Sequence, residues 1–108
     1  MTEQPMPVTN ANSEIVLTHV LLMLLDSGRG ALADDLLARS DKGREQYGTP
    51  LLTHNGRNAL RDLLDELLDA LMYVTQYGLE NDADVWQQFH ELKRLAMWAK
   101  EKLDGEEA

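Results

Sequence analysis

The chain contains no cysteine. That absence excludes a disulfide framework, a thiolate zinc site and a cysteine nucleophile together, and it suits a reducing compartment. The first twelve residues lack a positive charge ahead of an apolar run and lack a small-residue cleavage site, so no secretory signal is expected and the expected location is the cytoplasm. Long hydrophobic runs are also missing. The most apolar stretch, Ile15 to Leu25, is interrupted by Thr18 and His19 and falls short of the roughly 20 residues a membrane helix needs. It reads as a buried core helix, and no membrane partner is expected. Basic residues are few, 10 Lys and Arg against 19 Asp and Glu, for a net charge of -9. Nucleic-acid binding draws on clustered Lys and Arg to displace counterions, so no direct nucleic-acid partner is expected. An acidic surface suits cations, basic partners or solubility. There is no internal repeat, no alternating strand pattern and no low-complexity tract.

What is present is helical periodicity. A length of 108 residues with 44% hydrophobic content allows one domain with a modest core. Residues 1–12, polar and proline-bearing, read as a flexible N-terminal arm. Asn12 or Ser13 can cap a first helix running to about Asp26 and stopping at Gly28 and Gly30. Its apolar residues go nearly all the way round, which favours an oligomer. A second helix is predicted from Ala31 to about Gln46, with Gly43 as a weak point. An irregular connection follows around Tyr47 to Pro50 and Thr53 to Gly56; loops of this kind often carry function. The third helix, about Asn58 to Tyr77, places Leu60, Leu63, Leu64, Leu67, Leu71 and Val74 on one face. Gly78 is expected to end it, and Asn81 to Asp84 to cap a fourth helix through about Leu103. That helix turns Val85, Phe89, Leu92, Ala96, Ala99 and Leu103 inward. Residues 105–108 form a frayed acidic tail. The expected fold class is all-α, a four-helix bundle-like domain over 13–104, assembled into a dimer or tetramer.

Opposite the leucine face, Asp62, Glu66, Asp69 and Tyr73 follow one another at four, three and four residues, which keeps them within about 60° of arc. Like charges at neighbouring helical positions repel by roughly 0.2 to 0.5 kcal/mol per pair. A hard divalent cation would offset that repulsion, because Mg2+ takes one or two carboxylates plus phosphate and water oxygens. A basic partner helix would do the same, and a solvated face is the simplest alternative. Asp35 and Arg39, four apart on the second helix, read either as a surface ion pair or with Asp35 as a further metal ligand. Asn55, Gly56, Arg57 and Asn58 read as a turn and helix cap, or as a phosphate site beside a helix N-terminus. His19 reads as a hydrogen-bonded core histidine, and His54 has no partner placed for a triad. Trp86, Phe89 and Trp98 read as core or subunit-interface residues.

Glu66-Leu67-Leu68-Asp69, followed by Ala70, Leu71, Met72 and Tyr73, resembles the Glu-x-x-Asp motif of the all-α nucleotide pyrophosphohydrolases, the MazG-like superfamily. Asp35, Arg39, Gly43, Tyr47-Gly48, Leu51, Asn55-Gly56-Arg57, Asp62, Glu66, Asp69 and Tyr73 further resemble a pattern in small MazG-like proteins of bacteriophages, over Asp34 to Gln76. The resemblance implies Mg2+-dependent cleavage of a nucleoside triphosphate, ribo or deoxy, to monophosphate and pyrophosphate, with Mn2+ as a substitute ion, in the host cytoplasm if the chain is viral. Glu66, Asp69 and Asp62 become the catalytic carboxylates, and with Asp35 the metal ligands. Arg57, Asn55, Arg39 and Lys42 become the phosphate-side residues, with Tyr47 or Tyr73 near the base or sugar. The superfamily's first motif, Glu-x-x-Glu, has no match from Ala31 to Gln46. A non-catalytic module that binds a nucleotide or a host protein is the alternative.

Overall fold

In a computed structural model the chain is all-α, with four helices: α1 (Val16–Asp26), α2 (Ala31–Tyr47), α3 (Ala59–Asn81) and α4 (Trp86–Glu107). The structure describes residues 4–9, 13–26 and 31–107. Among the described residues there is no strand, only an isolated antiparallel bridge between Ile15 and Leu52. No helix among them is long and apolar enough to cross a membrane. The chain divides into two compact units, Met1–Arg57 and Asn58–Ala108.

The second unit is a helical hairpin. Asn58 caps α3, its side chain accepting from the amides of Leu60 and Arg61 and satisfying two of the orphan donors of the first turn. The leucine face then meets α4 in a core of Leu64, Leu67, Ala96, Ala99 and Leu103, with Leu60, Leu71 and Leu92 packed against it. Two alanines on α4 let the helices approach closely, while leucines from α3 fill the space beside them. Leu63, expected on the inner face, is instead exposed, because its position falls at the margin of the stripe.

Gly78 does not end α3. The helix runs on to Asn81, and Asp82 takes the left-handed conformation (φ 49°), with its amide and that of Ala83 donating to the Gly78 carbonyl. Gly78 is buried inside the helix, where a Cβ would sit 2.9 Å from Val85 Cγ2 and 3.1 Å from the Ala83 carbonyl oxygen. The glycine serves close packing at the turn, not termination. Asp84 then caps α4 by accepting from the Trp86 amide. The expected frayed tail is also corrected. α4 continues through Gly105 to Glu107, supported by buried Leu103, a Lys100–Asp104 pair at 2.8 Å and a hydrogen bond from Asn58 to Glu106.

In the first unit α1 packs with α2, and the irregular segment after α2 is stitched to the residues ahead of α1. Val16 donates its amide to Leu51, and the amide of Thr53 donates to the Glu14 carbonyl. The Glu14 amide donates in turn to the Thr53 hydroxyl. Ser13 therefore lies before a bridge rather than at a helix cap, and Asn12, Gly28 and Gly30 lie outside the described residues. α2 passes through Gly43 unbroken. α1 is not the buried core helix its composition suggests, since Leu22 and Met23 are exposed. Nor is His19 a core histidine. Its side chain is 57% exposed, with Nε2 3.7 Å from Glu14.

Candidate functional site

The candidate residues divide between the two units. Asp62, Glu66, Asp69 and Tyr73 lie along the face of α3 turned away from α4. Asp62 is half-buried in the first turn, and Glu66, Asp69 and Tyr73 are exposed. Glu66 and Asp69 make no hydrogen bond or ion pair among the described residues, so two carboxylates one turn apart stand open to solvent. This is what the leucine periodicity dictates, because packing one stripe against α4 turns the opposite stripe outward.

On α2, Asp35, Arg39 and Lys42 share one side at four- and three-residue steps, and all are exposed. Asp35 and Arg39 form no ion pair among the described residues. Tyr47 is the last residue of the helix and 40% exposed. Asn55 is buried: its Oδ1 accepts from the Arg57 amide and its carbonyl accepts from the Val8 amide at 2.7 Å. The Arg57 guanidinium donates from Nη1 to the Pro5 carbonyl at 2.7 Å. Gly56, at φ 82°, lets the backbone turn where Val8 approaches to 3.4 Å of a would-be Cβ. Two of the four residues expected on the phosphate side, Asn55 and Arg57, thus hold residues 4–9, which are tethered rather than a loose arm. His54, exposed and at φ 53°, lies in the same turn.

The oxygen donors on α3 are the hard kind that Mg2+ takes. Among the described residues, however, no group of three or more His, Asp or Glu side chains is placed to hold a metal ion. The α3 line therefore fits a one- or two-carboxylate hold completed by phosphate and water oxygens, and not a protein cage. Asp65 was not among the candidates. Its Oδ1 is shut off from solvent and has no hydrogen-bond partner among the described residues, an arrangement that costs about 1 to 3 kcal/mol unless another group completes it. Its sequence signal is position, seven residues before Met72 and three before Leu68, on the flank of the apolar face.

That flank carries an open cleft of about 510 Å³, lined by Leu71, Met72, Thr75, Gln76, Leu79, Glu80 and Phe89. Trp86 and Trp98, read as core or interface residues, are 69% and 47% exposed, so neither belongs to the hairpin core. Trp86 stacks on His90 with ring centroids 4.2 Å apart. Comparison with family models, curated proteins and solved structures finds no match to this chain.

Proposed function

We propose that this protein is a Mg2+-dependent nucleoside triphosphate pyrophosphohydrolase of MazG-like type, acting in the cytoplasm as a self-associated assembly. The observation that carries the reading is the pair Glu66 and Asp69, exposed, one turn apart and without a partner among the described residues, in the Glu-x-x-Asp spacing. Like charges one turn apart stay mutually repulsive unless a cation or a basic group meets them. Glu66 and Asp69 would hold the ion, and Asp62, one turn earlier, would orient the attacking water. Water oxygen bonds to the α-phosphorus while the bond from that phosphorus to the bridging oxygen breaks, so pyrophosphate leaves and a monophosphate remains. Bound Mg2+ supplies neutralisation of the charge that develops on the phosphoryl oxygens. Tyr73, on the same helix, is available for the base or sugar; Arg39, Lys42, Asn55 and Arg57 belong to the other unit, where Asn55 and Arg57 hold residues 4–9. Self-association is supported by exposed large apolar side chains, among them Leu79 at 81% and Met72 at 64%.

The test is pyrophosphate release from a panel of ribo- and deoxyribonucleoside triphosphates with Mg2+ or Mn2+ and then with chelator. The Glu66→Ala, Asp69→Ala double variant is expected to lose on the order of a hundredfold or more of the rate. Release that persists unchanged in that variant would falsify the assignment. A second reading, a binding module without turnover, is favoured by the lack of a three-ligand cluster among the described residues. It predicts metal-independent nucleotide or protein binding by folded protein that is silent across the panel.

A further inference from the structure

The turn at 54–57, within the first unit, sets together the groups an asparagine needs to lose its own side-chain nitrogen. Gly56 follows Asn55 and carries no Cβ to hinder the approach of its nitrogen to the Asn55 side chain. The Gly56 amide makes no hydrogen bond among the described residues, so the attacking nitrogen has no partner to give up. Asn55 Oδ1 accepts from the Arg57 amide at 3.0 Å. That bond folds the side chain back across the Gly56 peptide and puts a donor at the oxygen on which negative charge builds when Cγ is attacked. Residues 4–9 oppose the attack. The Val8 amide holds the Asn55 carbonyl oxygen at 2.7 Å, and the Val8 side chain comes to 3.4 Å of where a Gly56 Cβ would sit. The Asn55 carbonyl oxygen and the Gly56 nitrogen are bonded to the same carbon. While Val8 grips the oxygen, the nitrogen cannot swing toward Cγ, so the restraint wins until the segment lifts in a local opening.

We propose that Asn55-Gly56 is a self-deamidating site, held in check by residues 4–9, whose conversion releases those residues irreversibly. When the segment lifts, hydroxide takes the Gly56 amide proton and the nitrogen bonds to Asn55 Cγ. The bond from Cγ to Nδ2 breaks, ammonia leaves with a proton taken from water, and a succinimide ring remains. Water then opens the ring at either carbonyl. Opening at the former side-chain carbonyl leaves aspartate at position 55. Opening at the backbone carbonyl leaves isoaspartate, in which the main chain runs through the old side chain and is longer by a methylene. No oxidant, metal or cofactor enters the balance. Both products put a carboxylate beside Arg57, and a guanidinium bonds a carboxylate more strongly than the neutral Pro5 carbonyl to which it donates at 2.7 Å. In isoaspartate the oxygen that accepted from Val8 also leaves the main chain. Both ends of the 4–9 tether are thereby weakened, and the loss of ammonia makes the change one-way.

The experiment is incubation of the folded full chain in mildly alkaline buffer, followed by peptide mapping. Mass spectrometry reads the replacement of NH2 by OH at each asparagine, and chromatography separates the aspartate and isoaspartate forms. Val8→Ala, at a position 57% exposed, uncovers Gly56, and Arg57→Ala removes the bond to Pro5. Both are expected to speed conversion at position 55, the second by on the order of tenfold, the local opening that one charge-assisted hydrogen bond resists. Circular dichroism is expected to show unchanged helix content in both, so the acceleration is local. In both variants position 55 should outpace Asn58 and Asn81, whose side chains are engaged as a helix cap and in a bond to the Tyr77 carbonyl. In the deamidated fraction of wild-type protein, the Val8 amide should exchange faster than in the intact fraction. Conversion at the wild-type rate in both variants, a position 55 no faster than Asn58 or Asn81, or unchanged Val8 exchange after deamidation overturns the proposal.

Discussion

Gly78 shows how a single missing methyl group shapes the hairpin. Alanine is favoured over glycine in a helix interior by up to about 1 kcal/mol, yet here a Cβ meets the stiff Val85 side chain at 2.9 Å and a backbone carbonyl at 3.1 Å. Overpacking of this kind costs about 1 to 3 kcal/mol, so the clash outweighs the propensity gain. Gly78→Ala is expected to lower the melting temperature by a few degrees in a calorimetric or circular dichroism scan; an unchanged or raised Tm would show that the 82–85 turn gives way freely. Asn58 makes the contrasting case. Its cap to Leu60 and Arg61 and its bond to Glu106 tie the start of α3 to the end of α4 through one amide.

At the scale of the elements, the sequence was clearest where periodicity and packing coincide. The leucine stripe of α3 and the Ala96, Ala99 and Leu103 stripe of α4 were readable because burial acts on every third or fourth residue and leaves a regular trace. Asp62, Glu66 and Asp69 became readable with them, as the complement of that stripe. Contacts between residues distant in the chain leave no such trace. Arg57 was legible as a cation near a helix start, but its donation to the Pro5 carbonyl depends on where residues 4–9 run, and nothing periodic encodes that path. Gly78 misled because glycine signals both a helix end and a close approach, and the end here is taken by Asp82. The tether makes its own prediction. Arg57→Ala removes the guanidinium bond to Pro5, and faster hydrogen exchange at the Val8 amide, which donates to Asn55, is the expected result. An exchange rate like that of wild type would mean the Val8–Asn55 bond holds the segment alone.

For the molecule as a whole, the two units differ in how far along the chain their contacts reach. The α3–α4 hairpin closes across the short turn at 82–85. In the first unit, by contrast, the Glu14–Thr53 bond joins residues 39 apart and the Arg57–Pro5 bond joins residues 52 apart. Closing a longer loop costs more entropy before any contact forms, and folding slows as contacts become less local. A ribosome delivers the chain in the opposite order. Residues 4–9 emerge ahead of Arg57 and have nothing to attach to until it has been made, whereas α3 and α4 follow one another and can pair at once. Pulse-labelled exchange during refolding should therefore protect 59–107 before the amides of Val8, Val16 and Thr53. Residues 4–9, made well before their partners, are the last of these pieces of backbone to find their place.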